Sequence, residues 1–149
     1  MQYSDKHSGK RRGATAVETA LVMLPLVMFM FGLFEYGRLL MDWNLLNNAA
    51  REGCRYALAN NTNTSINSNV QSIVTTYMAG RDSSFTNFTV SVSGTHSGAS
   101  TAVNSLSPGD PITVTVSGNY KLMNIIPWIS LPGVLSLSSS VTMICEGGT

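Results

Sequence analysis

The chain has 149 residues, of which 44% are hydrophobic and only 11% charged, with a formal net charge of +1. That charge density is under half of the roughly 25% usual in soluble domains, and the near-zero net charge excludes a global field that would recruit nucleic acid. The apolar residues gather between Ala14 and Leu46, and the remainder is rich in Ser, Thr, Asn and Gly. This implies one membrane segment followed by a polar domain of about 100 residues, near the common domain size.

Residues 1–13 are polar and basic and are expected to be disordered. Lys6, Lys10, Arg11 and Arg12 stand there against Asp5 alone. Residues 14–34 then read ATAVETALVMLPLVMFMFGLF, with Glu18 as the only charge. About 20 apolar residues at 1.5 Å rise match a hydrocarbon core roughly 30 Å thick, so a transmembrane helix is expected over 14–36. Pro25 removes a backbone donor near its middle and should kink it, which lipid-embedded helices tolerate. The basic excess ahead of the span predicts a cytoplasmic N-terminus and an exported C-terminal domain.

Glu35, Tyr36 and Arg38 close the span. Two readings stand open: a charged and aromatic interfacial boundary, or a secondary contact set in which Arg38 or a neighbour's base balances Glu35. A helical extension follows over 37–59. Leu39, Trp43, Leu46, Ala50, Cys54 and Ala57 recur at spacings of three and four and form the expected inward stripe. Asp42, Asn44, Asn47, Asn48, Arg51 and Arg55 are expected mostly off it. An unbroken helix from about Thr15 to Leu58 would run roughly 65 Å, so its second half must lie beyond the membrane.

The exported domain is expected over 60–149. Residues 60–65 form a loop, and Ile66 to Met78 a helix with Ser65 as N-cap and Gly80 as stop. A strand is expected from Phe85 to Val92, and a Gly/Ser/Thr loop over 93–104. Ser107-Pro108-Gly109-Asp110-Pro111 is a turn, and Ile112 to Val116 alternates as a half-buried strand should. Residues 122–133 read as an irregular apolar connection, and Leu135 to Ile144 as the last strand, with Leu135, Leu137, Ser139, Val141 and Met143 on one parity. The fold class is α+β: a long N-terminal transmembrane and stalk helix, a second helix, and a short antiparallel sheet of three strands.

Catalysis is not expected, nor is a cofactor, a metal or a small-molecule substrate. His7 and His96 have no Cys or carboxylate at ligand spacing, and no phosphate loop or nucleophile elbow occurs. Two cysteines, Cys54 and Cys145, admit two readings: one bridge between the stalk helix and the last strand, or two separate buried thiols. Three Asn-X-Ser/Thr triplets, at Asn60, Asn63 and Asn87, are read as chance in a chain so rich in these residues.

The run Arg11-Arg12-Gly13-Ala14-Thr15-Ala16-Val17-Glu18, continuing through Leu24-Pro25-Leu26, Phe31-Gly32-Leu33-Phe34-Glu35-Tyr36-Gly37-Arg38 and Asn48-Ala49-Ala50-Arg51-Glu52-Gly53, resembles TadE-like pseudopilins of the Flp/Tad (tight adherence) pilus system. The family usually carries Ala where this chain has Cys54. The resemblance implies a pilin-like fold and cleavage by a prepilin peptidase between Gly13 and Ala14, with Lys10, Arg11 and Arg12 holding that junction at the cytoplasmic face. It implies that Glu18, then the fifth mature residue, pairs with the N-terminal ammonium of a neighbouring subunit. The implied partners are the peptidase, other pilins and pseudopilins, an inner-membrane assembly platform and the bilayer. The implied location is the bacterial inner membrane, with passage into an extracellular pilus left open.

Elementary chemistry agrees with these implications. Gly13 has no side chain to obstruct a protease cleft, and a carboxylate inside a span costs about 2.5–3.5 kcal/mol unless paired. A competing reading is an unprocessed single-pass anchor that displays a small envelope binding domain. A cleaved secretory signal fits less well, because the apolar region is long and no Ala-x-Ala site follows Phe34.

Overall fold

The computed structural model describes residues 9–122 and 134–145, with side chains from Gly13 onward. The elements are helix α1 (Gly9–Ala59), helix α2 (Ile66–Met78), a 3-10 turn (Arg81–Ser84), strand β1 (Phe85–His96), strand β2 (Ala99–Thr101), a second 3-10 turn (Val103–Ser105), strand β3 (Pro111–Lys121) and strand β4 (Val134–Ile144). The architecture is α+β, as expected. His7, the side chains of Lys10, Arg11 and Arg12, and nearly all of the apolar connection over 122–133 lie outside the described residues. The chain forms two compact units, Met1–Arg38 and Leu39–Thr149.

Within the first unit α1 is already helical at Gly9, so the expectation of disorder through residue 13 and of a helix start near Thr15 is corrected. Every side chain from Gly13 to Phe34 is exposed. This is the reverse of a soluble core helix: the most apolar window has a mean hydropathy of 2.1 and none of it is buried within the chain. Length and composition suit it to cross a membrane.

Within the second unit, the inner face of α1 consists of Asp42, Leu46, Ala49, Ala50, Cys54 and Ala57, all buried. Trp43, expected on that stripe, is 45% exposed, whereas Asp42, expected off it, is fully buried. The expected stripe holds at Leu46, Ala50, Cys54 and Ala57, and Asp42 takes the inward place expected for Trp43. Small residues bring backbones close here. A Cβ on Gly53 would stand 2.8 Å from Val74 Cγ2 and 3.2 Å from Val70 Cγ1 of α2, and 3.5 Å from Val114 Cγ1 of β3.

Helix α2 buries Ile66, Val70, Val74 and Met78, one face at spacings of four. Ser65 makes no side-chain cap; instead Asn63 Oδ1 accepts the Ser65 N–H at 2.9 Å. The helix ends on Ala79 in the left-handed conformation (φ 49°), one residue ahead of the glycine expected to stop it.

Among the described residues the sheet has four strands in the order β2-β1-β3-β4, all antiparallel, which corrects the expected three. The extra strand lies in the segment read as a loop. Strand β1 continues to His96, turns through Ser97 (φ 51°) and Gly98 (φ 83°), and returns as β2 with His96 opposite Ala99. Two consecutive positive φ values make this a two-residue hairpin of the I′ kind. The segment hides from a hydropathy reading because its buried position is Gly94, not an apolar side chain. A Cβ there would meet Leu106 Cδ1 at 2.5 Å, so Leu106 fills the space. Strand β1 also carries a bulge between Thr86 and Thr89, with Asn87 at φ 55°, which shifts its inward residues to Phe88, Val90 and Val92.

Central β3 buries Ile112, Val114, Val116, Gly118 and Tyr120 on one face. Gly118 leaves room for the Phe85 ring, which stacks edge-on to Tyr120 with centroids 6.1 Å apart. The opposite face is hydroxylic. Thr113 pairs with Thr142 at 2.8 Å, Thr115 with Ser140 at 3.0 Å and Thr89 with Ser117 at 2.8 Å, each across the ladder.

The close approach of α1 to α2 is directly testable. Gly53→Val inserts two methyls where a single Cβ is already in collision, so it should destabilise the second unit by about 1–3 kcal/mol. A denaturant melt of the detergent-solubilised chain, followed by circular dichroism, should show the lowered midpoint.

Candidate functional site

The N-terminal candidate residues lie on one exposed helix. Gly13 and Ala14 are exposed, and nothing lies within 4 Å of where a Gly13 Cβ would be. Glu18 sits on a shallow face with Thr15, Thr19, Val22, Met23 and Leu26. Thr19 Oγ1 donates to the Thr15 carbonyl at 2.8 Å, one turn back, rather than to the glutamate. Glu18 is exposed and has no partner among the described residues. Around it Val17, Leu21 and Val22 are 70%, 75% and 62% exposed, so the carboxylate projects from an otherwise apolar helix surface. In lipid such a group requires a counter-charge or water.

At the far end of the same unit, Arg38 Nη2 lies 3.0 Å from Glu35 Oε1, one helical turn apart. Of the two readings for this boundary, the structure brings Glu35 and Arg38 together within the chain. Tyr36 is exposed beside them.

The two cysteines are brought into the same core, both buried and both free thiols. Burial pushes the Cys54 thiol above its ordinary range; hydrogen bonds from the Met143 and Val114 backbone oppose this, and the nearby Cys145 adds to the upward shift.

Two polar pairs in the second unit escaped the sequence reading. Arg81, in the 3-10 turn after α2, reaches Asp42 of α1 through Nε at 2.9 Å and through Nη2, both to Oδ1. Asp42 is fully buried, and its Oδ2 has no hydrogen-bond partner among the described residues. The sequence carries a signal for it: Asp42 lies four residues before Leu46 and seven before Ala49, on the core spacing.

His96 is the second. Read as a loop residue without a carboxylate, it ends β1 and places Nδ1 2.6 Å from Asp110 Oδ2. The turn Ser107-Pro108-Gly109-Asp110 sets this up: Asp110 N–H donates to the Ser107 carbonyl at 3.1 Å, and Gly109 adopts φ 97°, as the third position of a type II turn requires. The Ser107 N–H, donating at 2.7 Å, and then the His96 hydrogen bond hold the Asp110 carboxyl below the usual carboxylate range.

Each pair yields a prediction. Asp42→Ala leaves Arg81 without its carboxylate and should cost roughly 2–3 kcal/mol, below the 3–5 of a wholly buried pair because Arg81 is partly solvated. Denaturant melts of Asp42→Ala and Arg81→Ala should show both losses, with the double variant less than additive. For Asp110 the folded-state pKa lies below the unfolded value. Its contribution is therefore fully present above the unfolded value, about 3.9, and disappears as pH falls through the folded one. The stability gap between the native chain and Asp110→Asn, measured by denaturant melts, should close as pH falls below ~4.

The sequence model of the TadE-like protein family matches residues 13–55. No curated protein and no solved structure matches the chain. The match begins at Gly13, covers the whole exposed apolar helix with Glu18, and ends beside Cys54 on the face of α1 that packs into the second unit. Over residues 13–55, the chain is thus similar to the TadE-like family.

Proposed function

We propose that this protein is a membrane-anchored pseudopilin, trimmed by a prepilin peptidase between Gly13 and Ala14 and used in assembling a Tad-type pilus or a related secretion apparatus. The TadE-like region suggests a Tad pilus-associated protein. The observation that carries it is Glu18, without a partner among the described residues, on an apolar helix segment that those residues leave exposed from Gly13 to Phe34.

A soluble protein would not leave such a surface uncovered. In a bilayer the alkyl and aromatic side chains are satisfied by lipid, and Glu18 alone is not. Cleavage after Gly13 creates an ammonium at Ala14, near the membrane depth of Glu18. A neighbouring subunit's amine then neutralises the carboxylate, so that a costly charge becomes a contact between helices. This couples processing to assembly, because an uncut chain has no amine at that level. The basic Lys10, Arg11 and Arg12 hold the junction on the cytoplasmic side, and the second unit is exported. The partners on this reading are the peptidase, other pilins or pseudopilins, the inner-membrane assembly platform and the lipid bilayer.

Mass spectrometry of the membrane-extracted protein should find Ala14 as the mature N-terminus. Gly13→Leu should abolish trimming, and the open space at Gly13 means that the substitution leaves the fold undisturbed. Glu18→Ala should leave the inserted amount unchanged and lower assembled pili by roughly tenfold or more, the consequence of losing ~1.4 kcal/mol at each contact. An intact Met1 terminus in piliated cells would instead identify an unprocessed single-pass anchor.

A further inference from the structure

Cys54 and Cys145 converge on one end of β3 from elements far apart in sequence. Cys54 lies on the buried face of α1, with Sγ 3.6 Å from the Ile112 carbonyl oxygen. Ile112 is in register with Met143 of β4. Inward positions on β4 recur at every second residue, through Leu137, Ser139, Val141 and Met143, and the next in that series is Cys145, which is 3% exposed. Its backbone is fixed on both sides. Cys145 N–H donates to the Asp110 carbonyl at 2.8 Å, and its own carbonyl accepts the Gly109 N–H at 2.8 Å, so two residues of the turn face one of the strand.

Asn61, in the connection after α1, places Nδ2 3.6 Å from Cys145 Sγ. The two thiols thus belong to one core, Cys54 from the α1 face and Cys145 from the last inward position of the sheet. The electrostatic influence of Cys145 on Cys54 reflects the same proximity.

We propose that Cys54 and Cys145 are a redox modification site, closed as a disulfide that fastens α1 to the end of β4. The oxidant is a disulfide-bearing thiol compound or protein. One cysteine thiolate attacks a sulfur of the oxidant's disulfide and expels one oxidant thiolate. The second cysteine attacks the mixed disulfide and expels the other. The protein loses two electrons and two protons, one S–S bond forms for one broken, and the oxidant leaves as two thiols. The loop closed runs from α1 through α2 and the whole sheet, so the bond constrains the entire polar domain. Export would supply an oxidising surrounding, but the site itself depends neither on Glu18 nor on trimming at Gly13.

The test uses the purified full chain in detergent, equilibrated with reduced and oxidised glutathione in graded ratios. One sample starts folded, and a second is unfolded and refolded in the same buffers so that slow access to the buried thiols is not limiting. Free thiols are counted by maleimide-polyethylene glycol under denaturing conditions, and digests are mapped by mass spectrometry. Both thiols should disappear together, a Cys54–Cys145 linked peptide should form, and the melting temperature should rise by ~10 °C. Cys54→Ala and Cys145→Ala should each abolish the rise. Two reactive thiols in both samples at the most oxidising ratio, or linkage only between separate chains, would overturn the proposal. Neither result bears on the N-terminus found in cells, so failure here is distinguishable from failure of the pseudopilin reading.

Discussion

The second unit depends on the close approach of α1 to α2 and β3. Ala49, Ala50, Gly53, Cys54 and Ala57 present almost no side-chain volume, so the helix backbone comes within contact distance of Val70, Val74 and Val114. Density of this kind cannot be relaxed cheaply, because an added methyl has nowhere to go. The other polar and sulfur groups inherit their positions from it. Asp42 meets Arg81 because α1 lies against the end of α2, and Cys54 meets the Ile112 carbonyl because α1 lies on the sheet. Even Ser139, a buried hydroxyl on the inner face of β4, is accounted for by Asn47 of α1.

The side chains of α1 differ sharply between the two units. Over the first unit its side chains are large, apolar and uncovered by the chain; over the second they are small on the inward face and packed. The TadE-like match spans both regimes. At the N-terminal end of α1 Glu18 stands on an apolar surface without a partner among the described residues, and at the other end a packed core holds a partly buried ion pair.

The sheet shows the same division across its thickness. Inward positions of β3 are Ile, Val and Tyr with one glycine, and outward positions are Thr, Ser and Asn joined by hydroxyl pairs across the ladder. The scarcity of charge in the chain follows from this: hydroxyl groups, not carboxylates and ammoniums, make most of that outer face. His96 and Asp110 are an exception at the sheet end, where a turn and a strand terminus meet.

What the sequence determined by itself was local and periodic. A run of apolar residues with one acid, a basic cluster and a glycine at a set distance mark the N-terminal helix, because membrane thickness and helical rise leave few alternatives. Alternation over Ile112 to Val116 and spacings of four over Ile66 to Met78 mark β3 and α2 for the same reason. Tertiary structure decided whatever rested on volume or on pairing between distant residues. β2 and the end of β1 were hidden because Leu106 occupies the space over Gly94, and Asp42 and Trp43 exchanged places because an acid can be buried once Arg81 arrives to meet it. Hydropathy sees one residue at a time, whereas burial is settled by which neighbour fills the gap and which charge answers the one already there.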